Sequence, residues 1–408
     1  MRFVAVIAGM LCCAALAPAD PSIRLKSRTI DVSTPRVAAL GHHFLLQFAG
    51  APGPELRAEL ARRGMRVLGP VPDSALMVSS AGPPDLSGLD ITWAGPLAAG
   101  DKISPELARS RQTVYLVIFH SDVPAAAARE IVGRHGFSVL PHQDLLPNHL
   151  LVLASPRRLR SLAGLDEVAY ILPASPDLLG GQRVIGCAGP LTEAGLVGPY
   201  VEVSPGWARS GDGRVDLHYA FQSLTPKIEQ NAERNEVARA LSEWERYTNL
   251  DFSATDDVVA DRTITILFAR GLHGDSYPFD GRGRMLAHTF YPQPPNREPI
   301  AGDMHLDADE NWAIGGGIDL FSVALHEAGH ALGLGHTDRP GSVMYPYYRL
   351  LTGLSDDDIA GIRELYGSNG APPAEPRTPA VPAPPPPQPT QPPAPPAPER
   401  PKADATPP

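Results

Sequence analysis

Apolar residues along this chain fall into short runs separated by polar, helix-spaced stretches, and one such arrangement occurs twice. His43-Phe-Leu-Leu-Gln-Phe48 and Val114-Tyr-Leu-Val-Ile-Phe119 are apolar runs of strand length. Each precedes an Ala/Glu/Arg-rich stretch with helical spacing, then Gly-Met-Arg-Val-Leu68 or Gly-Phe-Ser-Val-Leu140. Ala75-Leu-Met-Val78 and Leu150-Leu-Val-Leu153 come next, and Leu86-Ser-Gly-Leu-Asp90 mirrors Leu162-Ala-Gly-Leu-Asp166. A last strand holds Trp93 in one copy and Tyr170 in the other. The order β-α-β-β-α-β, read twice, predicts two small α+β modules over 20–108 and 109–176. Residues 177–206 are Gly- and Pro-rich and predict a linker. Residues 207–368 form a third unit. Residues 369–408 are almost entirely Pro, Ala, Gln and Thr, which cannot bury a core and predict a disordered, polyproline-like tail.

The N-terminus changes this picture first. Arg2, the apolar run Phe3 to Leu16 and the small-x-small site Ala17-Pro18-Ala19 predict a signal peptide over 1–19, and therefore secretion to an extracellular or periplasmic space. No stretch predicts a membrane span. Cys12 and Cys13 fall within the signal, so Cys187 is the one cysteine expected in the mature chain. Stability must then come from core packing and metal rather than disulfides. The formal charge of −10 and pI of about 5.7 argue against nucleic acid as a partner. A monomer acting on protein or peptide substrates is expected.

The chemistry is concentrated in 323–336, Val-Ala-Leu-His-Glu-Ala-Gly-His-Ala-Leu-Gly-Leu-Gly-His. His326 and His330 are four residues apart, so on a helix they leave one face about a turn apart and can share a metal ion. Glu327 can reach a metal-bound water without ligating. Gly333 lets the helix end and the chain turn back, bringing His336 in as a third ligand. Three protein ligands leave one position for water, the mark of a catalytic zinc rather than a closed one. A bare H-E-x-x-H arises by chance in roughly one chain in a hundred of this size, and the added Gly and His lower that to the order of one in 10⁵. Downstream, Ser342-Val-Met-Tyr-Pro346 places Met344 shortly after the third His; with the extended zinc motif this is the pattern of the metzincins, Met344 being the Met-turn residue.

A second cluster lies upstream. His273, Asp275, His288 and His305 supply three N donors and one O donor, enough to fill a tetrahedron, so a zinc there would be structural. Asp280, Asp307 and Glu310 are hard oxygen donors which, with carbonyls at the turn near Gly281 and Gly283, suit calcium, although such an acidic run also reads as a solvated loop. The stretch resembles the matrixins, the matrix-metalloproteinase branch of the metzincins, in its His-Gly-Asp, Pro-Phe-Asp-Gly, Leu-Ala-His and Gly-Asp-x-His segments. Leu354 to Gly367 resembles the family's last helix. The resemblance implies an α+β catalytic domain with a twisted five-stranded mixed sheet, three helices, a catalytic zinc, a structural zinc and calcium. It implies a zinc-activated water with Glu327 as general base. The chain departs from the family at Thr263 and Asn296 to Ala301, which counts against a second calcium site, and in lacking the Pro-Arg-Cys-Gly switch. Cys187 in Val184-Ile-Gly-Cys-Ala-Gly189 is the remaining candidate for a switch thiol. The two N-terminal modules resemble, in element order, the propeptide or inhibitor modules of secreted proteases, and a removable prodomain is expected. The rival reading is a secreted binding protein on a metzincin scaffold with an inhibitor-like N-terminal region.

Overall fold

Strands in the first half of the chain are apolar on both sides, which requires cover on both faces of each sheet. The computed structural model describes residues 22–33, 40–181, 186, 205–275, 277–283, 285–293 and 296–369. All of them lie in one unit, Met1–Arg377. The signal segment, Cys187 and the Pro-rich tail lie outside the described residues.

The chain opens with a hairpin, β1 (Ser22–Arg24) and β2 (Thr29–Asp31). The first copy of the repeat is β3 (His43–Phe48), α1 (Pro54–Arg62), β4 (Met65–Val71), β5 (Ala75–Ser80) and β6 (Ile91–Gly95). The second is β7 (Val114–Phe119), α2 (Ala125–Arg134), β8 (Ser138–Leu140), β9 (His149–Leu153), α3 (Leu159–Ala163) and β10 (Val168–Pro173), followed by the short α4 (Pro176–Leu179). The sheets are antiparallel, with orders β4-β5-β3-β6 and β8-β9-β7-β10, so the copies share one topology. Gly64 and Gly136 take equivalent left-handed positions (φ 76° and 71°) just past α1 and α2, a conformation that favours glycine.

Two expectations need correction. The second helix of the first copy is absent: Leu86 to Asp90 is a turn. Pro83 and Pro84 precede it, Gly88 has φ 68°, and the Asp85 carboxylate accepts from Ser87 N and Oγ (3.0 and 2.6 Å) in place of a helical bond. The β1–β2 hairpin, which falls within the 20–108 expected for the first module, joins neither sheet.

The two sheets pack against each other. Leu45, Met77 and Trp93 of one share a core with Leu116, Leu151 and Tyr170 of the other, closed at one side by Ile23 and Ile30 of the hairpin. Alternate residues, such as Phe44 and Leu76 or Val117 and Val152, face the helix layers. The central strands β3, β5, β7 and β9, with β10, therefore bury both faces, which is why their runs are continuous rather than alternating.

The third unit holds β11 (Val215–Phe221), α5 (Gln230–Glu245), β12 (Leu250–Ala254), β13 (Thr263–Ala269), β14 (Ala287–Thr289), β15 (Met304–Asp307), the small pair β16 (Trp312–Ala313) and β17 (Ile318–Asp319), α6 (Leu320–Ala331) and α7 (Asp356–Tyr366). Its sheet order is β12-β11-β13-β15-β14, parallel except for the edge strand β14. A twisted five-stranded mixed sheet with three helices is the architecture the resemblance implied. Asp319 caps α6, accepting from Ser322 N (2.9 Å). At the other end the free carbonyls of Ala331 and Leu332 accept from Trp207 Nε1 (2.9 Å) and Tyr366 Oη (2.6 Å). The first and last residues of the unit thus hold the helix that carries the zinc motif.

Candidate metal centres and active site

Every residue of α6 is buried, so its histidines face protein on all sides. His326 Nδ1 lies 2.7 Å from Val343 O and His330 Nδ1 2.7 Å from Leu334 O. Both Nδ1 atoms donate to carbonyls, so each Nε2 carries a lone pair rather than a proton, and the two lie 3.1 Å apart. Gly333 takes φ 102° and turns the chain back, as the spacing requires. His336 then arrives, and one donor atom of each of the three rings lies within 4.8 Å of the others. His336 Nε2 is buried with no hydrogen-bond partner among the described residues. Burial pushes all three imidazoles down, His326 to about 4, so they are neutral at pH 7 and able to ligate. This donor set, converging and partly orphaned, fits a metal ion such as zinc.

Glu327 is 1% exposed, and its Oε2 accepts from Thr289 Oγ1 on β14 at 2.7 Å. The carboxylate is thereby aimed from the helix toward the sheet edge. Met344 packs beneath the motif: a Cβ on Gly329 would collide with Met344 Sδ and lie 3.0 Å from Trp244. Val343 N and Met344 N donate to Asp358 at the start of α7 (2.9 and 3.2 Å), which fixes the Met-bearing loop. Thr289, Gly329 and Asp358 were not singled out in the sequence. The helix-breaking Gly inside H-E-x-x-H was the one signal available, since a mid-helix Gly needs a packing reason.

The upstream cluster also assembles. Asp275 Oδ2 lies 3.1, 2.8 and 2.9 Å from His273 Nε2, His288 Nε2 and His305 Nδ1. These four residues form the second group of converging donors among the described residues. Burial pulls Asp275 up, but bonds from Tyr277 N and His288 outweigh it and hold the carboxyl below its usual range. Burial, with the neighbouring His288, takes His305 down to about 4. Nearby, burial raises Asp307 and Glu310, helped by repulsion from Asp309 and Asp280 on the first and from Asp307 and Asp280 on the second. Asp307 Oδ2 is buried without a hydrogen-bond partner among the described residues, Glu310 accepts from Gly283 N, and Gly281 and Gly283 hold left-handed turns (φ 78° and 106°). That oxygen-rich, charge-crowded set fits a hard cation better than it fits itself.

The N-terminal sheets reach this site. Tyr345 and Tyr347 of the loop after His336 are 2% and 3% exposed because they insert into the core between the two sheets. Tyr345 Oη donates to Pro173 O (3.1 Å). Asp338 receives Lys26 Nζ and Tyr170 Oη, each at 2.7 Å. Gly186 pairs in parallel with Met285 at the sheet edge and antiparallel with Tyr347, so the chain there lies between edge and loop. A small cavity beside His326 and Glu327 is walled by Leu286, Val343, Tyr347 and Tyr348.

Residues 207–367 match the family model described as Matrixin. Residues 24–98, from the hairpin to the end of the first sheet, match a family described as Domain of unknown function (DUF8729). Among relatives, human matrix metalloproteinase-16 is 42% identical over 164 residues, 37% of this chain and 26% of that protein. Stromelysin-2 of Rattus norvegicus is 43% identical over 171 residues, 40% of this chain and 34% of the relative. The hatching enzyme of Paracentrotus lividus is 41% identical over 176 residues, 42% of this chain and 28% of the relative. The chain thus spans between a quarter and about a third of the length of these relatives. With the five-stranded sheet, the three-histidine cluster and the Met-bearing loop in place, residues 207–367 are a matrixin-type metalloproteinase domain.

Proposed function

We propose that this protein is a secreted zinc-dependent endopeptidase, held latent by its N-terminal modules. The observation that carries the reading is the convergence of His326, His330 and His336 within 4.8 Å beside the buried Glu327. Held by these three imidazoles, a zinc ion would polarise the scissile carbonyl and bring the pKa of its water to roughly 7. Glu327 takes a proton from the attacking water and passes it to the leaving amine. Thr289 orients that carboxylate by the 2.7 Å bond to Oε2. The carbonyls of Val343 and Leu334 fix the tautomers of His326 and His330. Edge strand β14 offers unpaired backbone to an extended substrate, which it would bind as an added strand. His273, Asp275, His288 and His305 are assigned to a structural zinc. Asp280, Asp307 and Glu310, with carbonyls at Gly281 and Gly283, are assigned to calcium.

Secretion is supported by the signal-like 1–19, and among the described residues no helix is long and apolar enough to cross a membrane. The alternative of a binding protein on the same scaffold gives no reason for Glu327 to be buried and held by Thr289. Cys187 is the candidate switch thiol, and full-length Cys187→Ser tests it: a variant as silent as wild type excludes the thiol from latency. For the mechanism, Glu327→Ala should keep its metal content and melting temperature yet, once freed of the N-terminal sheets, lose at least about a hundredfold in kcat on casein against wild type treated alike. Activity within tenfold of wild type would sink the assignment of the base.

A further inference from the structure

We infer that the loop entering β9, Leu146 to His149, is a latch that keeps the cleft of the full-length chain closed by gripping Tyr347 and pinning Gly186 beneath it. This rests on the peptidase reading above and names how that site is regulated.

Three separate contacts meet at this loop. Leu146 N–H donates to Tyr347 Oη (3.3 Å), and the same hydroxyl lies 2.8 Å from His149 Nδ1. The two bonds are compatible: the oxygen accepts from the amide and its proton goes to the imidazole. The His149 and Tyr347 rings meet edge to face at 5.7 Å, and both side chains are buried. The Leu146 side chain then closes on Gly186, where a Cβ would lie 2.8 Å from Leu146 Cδ2 and 2.9 Å from Cγ. Gly186 in turn bridges Met285 and Tyr347, the two sides between which an extended substrate would have to enter. One loop of the second sheet therefore holds both Tyr347 of the cleft wall and Gly186, which lies between that wall and Met285. Only glycine fits at 186 while Leu146 keeps its place.

The latch shares Tyr347 with the attachment of the sheets to the domain, but that attachment has further anchors. Lys26 and Tyr170 hold Asp338, and Pro173 holds Tyr345, from other elements. Substitutions at 146, 149 or 186 can therefore open the cleft without detaching the N-terminal sheets. None of these residues belongs to the catalytic domain, so the chemistry of hydrolysis is unchanged by altering them.

The experiment uses the full-length chain as wild type, Gly186→Val and His149→Leu, each assayed on a quenched peptide before and after digestion that degrades the N-terminal sheets. Amide exchange at Met285 to Thr289 is followed in the intact proteins. Intact wild type should be silent. Intact Gly186→Val should gain at least about tenfold and intact His149→Leu several-fold, with faster exchange at the sheet edge, and all three should converge after digestion. If digested protein is active but both intact variants stay as silent and as protected as wild type, the latch is wrong and latency stands. If intact wild type equals digested wild type, there is no latch. If no form shows chelator-sensitive activity, the peptidase reading itself falls.

Discussion

His43 is 5% exposed, yet two carboxylates flank its ring. Its Nδ1 lies 2.7 Å from Asp166 and its Nε2 3.1 Å from Asp122, while its ring stacks on His120 at 4.1 Å. It joins the first sheet to loops of the second. Burial pulls the imidazole down, but the bonds to Asp122 and Asp166 outweigh it and raise it to about 9. In the unfolded chain it sits near 6.5. A raised cation stabilises the fold fully below pH ~6.5 and loses that contribution as pH rises through about 9. The size is on the order of 3 kcal/mol. Lys102, buried nearby and lowered to about 8 by burial, works in the opposite sense, so the test is a difference. The melting temperature of wild type minus that of His43→Gln should be largest at pH 6 and shrink by pH 9.5. A difference independent of pH would show that His43 is neutral in the fold.

At the scale of elements, the structural cluster joins three pieces of chain: the loop holding His273 and Asp275, β14 with His288 and β15 with His305. β14 and β15 pair directly at His288 and His305, so a metal there ties the sheet edge to a long loop. His305→Ala should lower the melting temperature by several degrees in zinc and abolish the stabilisation that zinc gives to stripped wild type, because metal-binding energy at such a site is folding energy. An unchanged melt would remove the assignment. This edge also marks how far the sequence could be read. His326, His330 and His336 were legible because one helix and one glycine turn set their spacing. The β-order of both N-terminal copies was legible because the central strands bury both faces and so spell apolar runs. Thr289 on Glu327, Asp358 under Met344 and Gly329 against Met344 were not legible, since each joins elements whose approach is set by tertiary packing. The missing helix at Leu86 failed for a local reason: mirrored spacing hid two prolines and an Asx turn.

Across the described residues, the two N-terminal sheets are plugged by two tyrosines of the catalytic domain. That geometry decides what a single cut in 187–204 can do. The peripheral ion pairs, Arg339–Glu106 and Arg297–Glu55, are solvent-exposed and contribute about 0–1 kcal/mol each. Tyr345 and Tyr347 are nearly fully buried in the intersheet core, and burying two such rings at ~150–250 Å² each is worth on the order of 10 kcal/mol before the cost of association. The Lys26–Asp338 pair is nearly buried, so salt screens it far less than the exposed pairs. Attachment thus depends on the tyrosines and Asp338, which salt reaches poorly. A chain cut once within 187–204 should co-elute as a complex in gel filtration, and 1 M NaCl should not separate it. Tyr345→Ala should weaken the nicked complex by at least about tenfold in dissociation constant. Fragments that part at low protein concentration and ordinary salt would show that the linker, not the tyrosine plug, keeps the sheets on the catalytic domain, and that one cut suffices to release it.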